Sequence, residues 1–185
     1  MAESKGRRIS TDRMELIAAT LEHVSAELES LERLASTLGA VVAADWPPGE
    51  YDRDAQLFFQ DRLQEEGDAA IGWYGWYAIR RGNRQSPSTL IGAAGYFGPP
   101  RNRSDVEIGF SILPAWRCHG YATEIAQALV ENAFADRRVH WVVAHTTPEN
   151  QASCRVLEKA GFDRTDGGEP DTVRYEISRD TAGRG

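Results

Sequence analysis

The stretch Asp105–Thr123, DVEIGFSILPAWRCHGYAT, limits what this chain can fold into more than any other segment. Val106, Ile108, Phe110 and Ile112 alternate with Glu107, Gly109 and Ser111, the period of a strand with one core face. Pro114 has no backbone N–H to donate, so the pairing ends there. Behind Arg117–Ala122, an apolar helical stripe runs through Ile125, Ala126, Leu129, Val130, Ala133 and Phe134. Trp141-Val142-Val143-Ala144 then reads as a short, buried strand. Strand, helix, strand in that order predicts a parallel pair with a right-handed crossover.

The loop inside this unit has the chemistry of an anion site. A helix start leaves backbone N–H groups without intrahelical partners, and the helix dipole adds to their attraction for phosphate. Gly120 and Ala122 leave room for a phosphate, and Arg117 adds a permanent charge with a planar fork of donors. A plain strand-to-helix turn is the alternative reading of the same residues.

The remaining chain predicts a mixed sheet with helices on its faces. Arg13–Ala19 is an opening strand or a helix. Leu21–Leu38 has helical spacing, with Glu22, Glu27, Glu29 and Glu32 at its solvated positions and Gly39 as its stop. A second helix is expected over Asp52–Glu66, burying Leu57, Phe58 and Leu63. Trp73–Arg80, Ser88–Tyr96 and the Asp105 strand form an antiparallel meander. Asn150 opens a late helix that Gly161 stops, with Val156, Leu157 and Ala160 on its inner side. Phe162–Arg164 and Thr172–Ile177 pair as a closing hairpin across Asp166–Asp171. Residues 1–12 read as a flexible tail, 13–178 as one domain and 179–185 as a second tail.

Composition excludes several classes. The net charge of −7 argues against non-specific nucleic-acid binding and suits a cationic amine partner. Cys118 and Cys154 form no CxxC pair and read as reduced thiols of a cytoplasmic protein. His23, His140 and His145 lack metal-ligand spacing, so no metal is expected. No apolar run is long enough to cross a bilayer, so no membrane partner is expected.

Arg117, Gly120 and Ala122 match, in order and spacing, the acetyl-CoA-binding motif of the GNAT superfamily of acetyltransferases. The segment Asn150–Phe162 resembles the same family's downstream signature: Asn, two residues, Ser, then Leu-Glu-Lys-x-Gly-Phe. Glu107-Ile108-Gly109-Phe110 and Ala122-Thr123-Glu124 resemble the branch named after RimJ and RimL. The resemblance covers roughly residues 9–178 and implies a mostly antiparallel α/β sheet, splayed at a central parallel pair.

The resemblance further implies acetyl transfer from acetyl-CoA to a primary amine, either a small molecule or a protein N-terminus. Ile112 and Leu113 would contact pantetheine or the acetyl carbonyl through backbone groups, with the Leu113 N–H meeting the oxyanion. The N–H groups of Cys118, His119, Gly120, Tyr121, Ala122 and Thr123, beside Arg117, would hold the pyrophosphate. Glu107 is the candidate base, or else an ordinary strand glutamate. Ser153 would protonate the leaving thiolate, with Tyr175 a distant substitute, and Asn150 would contact pantetheine or only cap its helix. Trp46 and Tyr51 would line the acceptor side or anchor a loop. Homodimers are common in the family. The alternative function is an acyl-CoA sensor without turnover, and the acyl group itself is open.

Overall fold

The computed structural model describes residues 7–100, 104–165 and 170–182. Residues 1–6 of the expected tail, 101–103, 183–185 and residues 166–169 of the expected hairpin turn lie outside the described residues. Strands β1 (Arg8–Ser10), β2 (Met14–Ala18), β3 (Gly75–Arg80), β4 (Thr89–Tyr96), β5 (Asp105–Ile112), β6 (Trp141–Thr146), β7 (Asp163–Thr165) and β8 (Val173–Ser178) build one sheet. Its order is β1-β2-β3-β4-β5-β6-β8-β7. Every neighbouring pair is antiparallel except β5 and β6, the strands flanking the crossover helix α4 (Tyr121–Ala135).

Helices cover both faces, as strand alternation shows. Tyr77 pairs with Ala93, and Ala93 pairs with Ser111, so these residues share one face. The Tyr77 phenol bonds to Glu27 on α1 (Leu21–Glu29), which places the N-terminal helices on that side. Tyr96 lies three residues beyond Ala93 and so points the other way, where its hydroxyl donates to the Leu129 carbonyl of α4. Tyr175 on β8 pairs with Ala144 and reaches Glu158 of α5 (Gln151–Lys159) on the α4 side.

Several boundaries differ from the sequence reading. The helix expected over Leu21–Leu38 breaks at Ser30, whose backbone is extended. Its N–H ends α1 on the Ala26 carbonyl, and its hydroxyl accepts from Arg33 N–H to start α2 (Leu31–Leu38). In α3 (Arg53–Glu66) the buried face is Gln56, Phe59 and Leu63, whereas Leu57 and Phe58 are exposed. The expected N-terminal tail contains β1, which pairs with β2 through Arg8↔Ile17 to Ser10↔Glu15. The expected C-terminal tail starts with α6 (Arg179–Ala182), and the Arg179 guanidinium caps the carbonyls of Phe134, Asp136 and Val139.

Candidate active site

The parallel register between β5 and β6 covers only Asp105↔Trp141, Val106↔Val142 and Glu107↔Val143. Beyond Glu107, β5 continues to Ile112 without that partner, so the sheet splays. Hydrogen-bond alternation decides which backbone groups face the gap. Phe97 N–H donates to the Glu107 carbonyl at 3.1 Å and Leu113 N–H to the Ile91 carbonyl at 2.9 Å. The odd-numbered residues of β5 therefore turn their backbone groups to β4, while Ile108, Phe110 and Ile112 turn theirs toward β6.

This corrects the expected role of Leu113. Its N–H is already given to Ile91, and its side chain is buried. The Ile112 carbonyl is also occupied, accepting from Arg117 Nε at 3.0 Å. The N–H and carbonyl of Phe110 and the N–H of Ile112 are the groups directed into the splay beyond the paired register.

Arg117 is thus tied to the end of β5 through Nε, and its exposed guanidinium retains its other donors. Cys118 adopts φ 61° and Gly120 φ 80°, so the loop coils through left-handed conformations before α4. Gly120 is the N-cap residue and offers no side chain, so no side chain caps the first turn of Tyr121, Ala122 and Thr123. Arg13 braces the loop from β2's start. Its Nη1 donates to the His119 carbonyl at 2.8 Å, its Nε meets Glu124 at 2.7 Å, and its guanidinium lies 4.3 Å from the Tyr121 ring centroid. Burial raises the Glu124 carboxyl, but bonds from Thr11 and Arg13 outweigh it and hold the group below its ordinary value.

Glu107 sits at the apex of the splay, where His145 Nδ1 lies 2.8 Å from its Oε1. Neither residue is fully buried, with side chains 37% and 29% exposed for Glu107 and His145 respectively. Sequence reasoning missed His145 as a site residue because it arrives from β6, whose partner is set only by the crossover. On the other side of the gap, Asn150 Oδ1 accepts from Ser153 N–H at 3.1 Å, the cap geometry of α5. Ser153 is half-buried in the first turn of that helix. Tyr175 is fully buried and donates to Glu158 at 3.2 Å. Among the described residues no group of metal-ligating side chains gathers.

A cavity of about 130 Å³ opens on the Glu107 face of the sheet. Gly109 and Ser111 floor it, and Glu50, Tyr51 and Phe59 wall it. Gly49 approaches the floor so closely that a Cβ there would lie 3.1 Å from Ser111 Oγ. A broader hollow of about 700 Å³ beside α2 contains no residue of the splay or the loop.

Beneath the wall lies a carboxylate that the sequence reading assigned to solvent. Glu27 is 6% exposed. It accepts from Trp46 Nε1 at 2.6 Å, Tyr51 OH at 2.8 Å, Tyr77 OH at 2.6 Å and Gln56 Nε2 at 2.9 Å. Burial pushes its carboxyl up, and the four donors pull it partly back. Trp46 and Tyr51 are therefore loop anchors, while Tyr51 also lines the cavity.

Comparison with known proteins agrees with this geometry. The profile described as "Acetyltransferase (GNAT) domain" matches residues 16–163. An uncharacterized N-acetyltransferase of Bacillus subtilis, YjdG, is 25% identical over 154 residues, covering 83% of this chain and 88% of its own. A putative ribosomal-protein-serine acetyltransferase from Vibrio cholerae superposes with TM-score 0.63 at 19% identity, covering 95% of this chain and 99% of its own. The aminoglycoside acetyltransferase AAC(6')-Ib, solved with ribostamycin and coenzyme A, has TM-score 0.63 at 22% identity, with 94% and 97% covered. These structural likenesses show the fold. With the profile spanning most of the chain, and the splay and uncapped helix start built as described, the chain belongs to the GNAT family of acetyltransferases.

Proposed function

We propose that this protein is an N-acetyltransferase that moves the acetyl group of acetyl-CoA to a primary amine by direct attack in a ternary complex. The observation that carries the reading is the splay itself. Glu107 stands at its apex, backbone donors line it, and the uncapped start of α4 lies where β5 ends. Solved neighbours bearing coenzyme A and an aminoglycoside support both co-substrates.

The first-turn N–H groups of Tyr121, Ala122 and Thr123, with those of Cys118, His119 and Gly120 and the Arg117 guanidinium, hold the pyrophosphate. The backbone of Phe110 and the N–H of Ile112 pair with the pantetheine arm. One of these N–H groups meets the oxyanion that develops on the acetyl carbonyl. The remaining amide donors of Asn150 assist on the opposite side.

An alkylammonium with a pKa of ~10.4 must lose a proton before it can attack. Glu107 accepts it, directly or through one water, and His145 orients the carboxylate. The amine nitrogen then bonds to the carbonyl carbon, and as the C–S bond breaks the nitrogen's second proton passes to the departing sulfur, leaving a neutral amide and the CoA thiol. Ser153, half-buried at the start of α5, donates a hydrogen bond to that sulfur. Tyr175 serves this role less well, because its phenol is fully buried and already donates to Glu158. Cys118 lies in the pyrophosphate loop, which argues against an acetyl-cysteine intermediate.

The test is thiol release from acetyl-CoA against amines, amino acids and N-terminal peptides. Acceptor-dependent release is expected. Acetyl-CoA binding by thermal shift with no release across the panel points instead to a sensor. No thermal shift removes the reading of the Arg117–Thr123 loop.

A further inference from the structure

The cavity on the Glu107 face restricts which amine can be used, an inference that rests on the proposed acetyl transfer. We infer that the acceptor is a single primary ammonium carried on a compact apolar body, and not a polycation. Position comes first. Glu107, Gly109 and Ser111 alternate along one face of β5, and the last two form the cavity floor. Two residues of strand advance roughly 7 Å, so an amine at Glu107 has its body over Gly109 and Ser111.

Size comes second. About 130 Å³ is well below the roughly 300–1,000 Å³ of pockets for drug-sized ligands. A multi-ring aminosugar does not fit inside it. The limit is also stiff. The Tyr51 wall is held from below by Glu27, which simultaneously takes bonds from Trp46, Gln56 and Tyr77. Swinging the wall outward breaks buried charge-assisted hydrogen bonds.

Charge and surface chemistry agree. Glu107 aside, Glu50 is the one carboxylate in the lining among the described residues, enough to steer one ammonium inward to Glu107 but not to satisfy the several charges of a polycation. The other walls are aromatic. Tyr51 stacks on Phe59 with ring centroids 6.0 Å apart. The Phe97 ring lies 3.4 Å from the Cβ position of Gly109 while remaining 60% exposed. An apolar body covers that exposed ring, and the cation gains from the ring faces.

The compact body has two sources: a small aryl- or alkylamine, or the first residue of a peptide. Initial rates of CoA release separate them, using phenethylamine and butylamine in one arm and peptides beginning with Ala, Ser or Leu in the second. Kanamycin and spermidine form the third arm. The expected result is kcat/KM at least roughly tenfold higher for one of the first two arms than for the third. Glu50→Gln should raise the acceptor KM by up to roughly fivefold at low salt, the range of an exposed ion pair, with the acetyl-CoA KM unchanged. Preference for kanamycin or spermidine overturns the inference, as does an acceptor KM indifferent to Glu50→Gln. Silence in the first two arms, with acetyl-CoA still raising Tm, also overturns it and leaves the CoA half of the site standing. Loss of the acetyl-CoA thermal shift would instead remove the transferase reading on which the inference rests.

Discussion

Two carboxylates brace the two halves of the site, and they do so by opposite physics. Glu27 supports the acceptor wall from the interior, with four donors on its two oxygens and 6% exposure. Glu124, its side chain 17% exposed, supports the Arg117–Thr123 loop from nearer the surface, through Thr11 and an Arg13 side chain that is 44% exposed. A buried carboxylate with all its lone pairs engaged fixes geometry, and removing it leaves its donors stranded. A surface ion pair adds little stability and is screened by salt. The Tyr51 wall is therefore set at folding, whereas the Arg117–Thr123 loop is held more lightly, as the proposed binding of CoA there requires.

Glu107 belongs to neither brace, and its removal gives the largest expected effect. Glu107→Gln should lower kcat by roughly 10²–10⁴-fold, the usual range for a general base. Acetyl-CoA affinity and Tm should be nearly unchanged. A loss of acetyl-CoA affinity matching the loss of kcat would mean that Glu107 shapes the CoA half and is no base.

The next largest effect separates the braces directly. Glu27→Ala strands four buried neutral donors, each worth about 1–3 kcal/mol when left unsatisfied, and should cost at least about 3 kcal/mol in urea unfolding. Glu27→Gln keeps the shape but turns an NH₂ toward donors, and should cost about 1–3 kcal/mol. In the Gln variant the acceptor KM should rise more than the acetyl-CoA KM. An equal rise in both would erase the distinction between the halves.

Smaller changes belong on the CoA side. Gly120→Ala forces a Cβ into φ 80° and to 3.4 Å from Arg13 Nη2. The left-handed penalty of about 1–2 kcal/mol should weaken acetyl-CoA binding by up to roughly thirtyfold without touching acceptor specificity. Arg13→Ala should weaken it only a few-fold, about 0.2–1 kcal/mol. That loss should shrink as salt is raised, and calorimetric titration at two ionic strengths checks both.

Which parts were legible in sequence follows from how local their causes are. The β5–loop–α4–β6 unit declares itself through alternation, one proline and a helical stripe, all within neighbouring residues. The Asn150 cap is equally local, since its acceptor meets the N–H three residues on. Glu27 is a different case. As a charged residue among the glutamates of the Leu21–Leu38 stretch it reads as solvated, while the chain buries it with Val24 and Ala26. Its donors come from positions 46, 51, 56 and 77, on a loop, a helix and a strand. Similarly, Leu113 looked free because the pairing of its N–H depends on how β4 aligns with β5, which periodicity does not fix. His145 reaches Glu107 across 38 residues of chain, after a crossover.

The smallest expected effect is the one with opposite signs in the two braces. The Glu124 carboxyl is held below its ordinary value, so its contribution to stability is present above that ordinary value of ~4.3. It is lost as pH falls through the lowered folded-state value. The Glu27 carboxyl is raised by burial, so its proton-linked contribution is fully present below ~4.3 and is lost as pH rises through the raised value. Urea unfolding of Glu124→Gln and Glu27→Gln against the parent chain, from about pH 3.5 to 7, separates these trends. The stability lost in Glu124→Gln should shrink on acidification. The stability lost in Glu27→Gln should grow on acidification, because the parent then gains a neutral, hydrogen-bonded acid that the amide cannot reproduce. Two curves sloping the same way would mean that both carboxylates are governed by their partners alone. The buried brace would then differ from the surface brace in strength and not in kind.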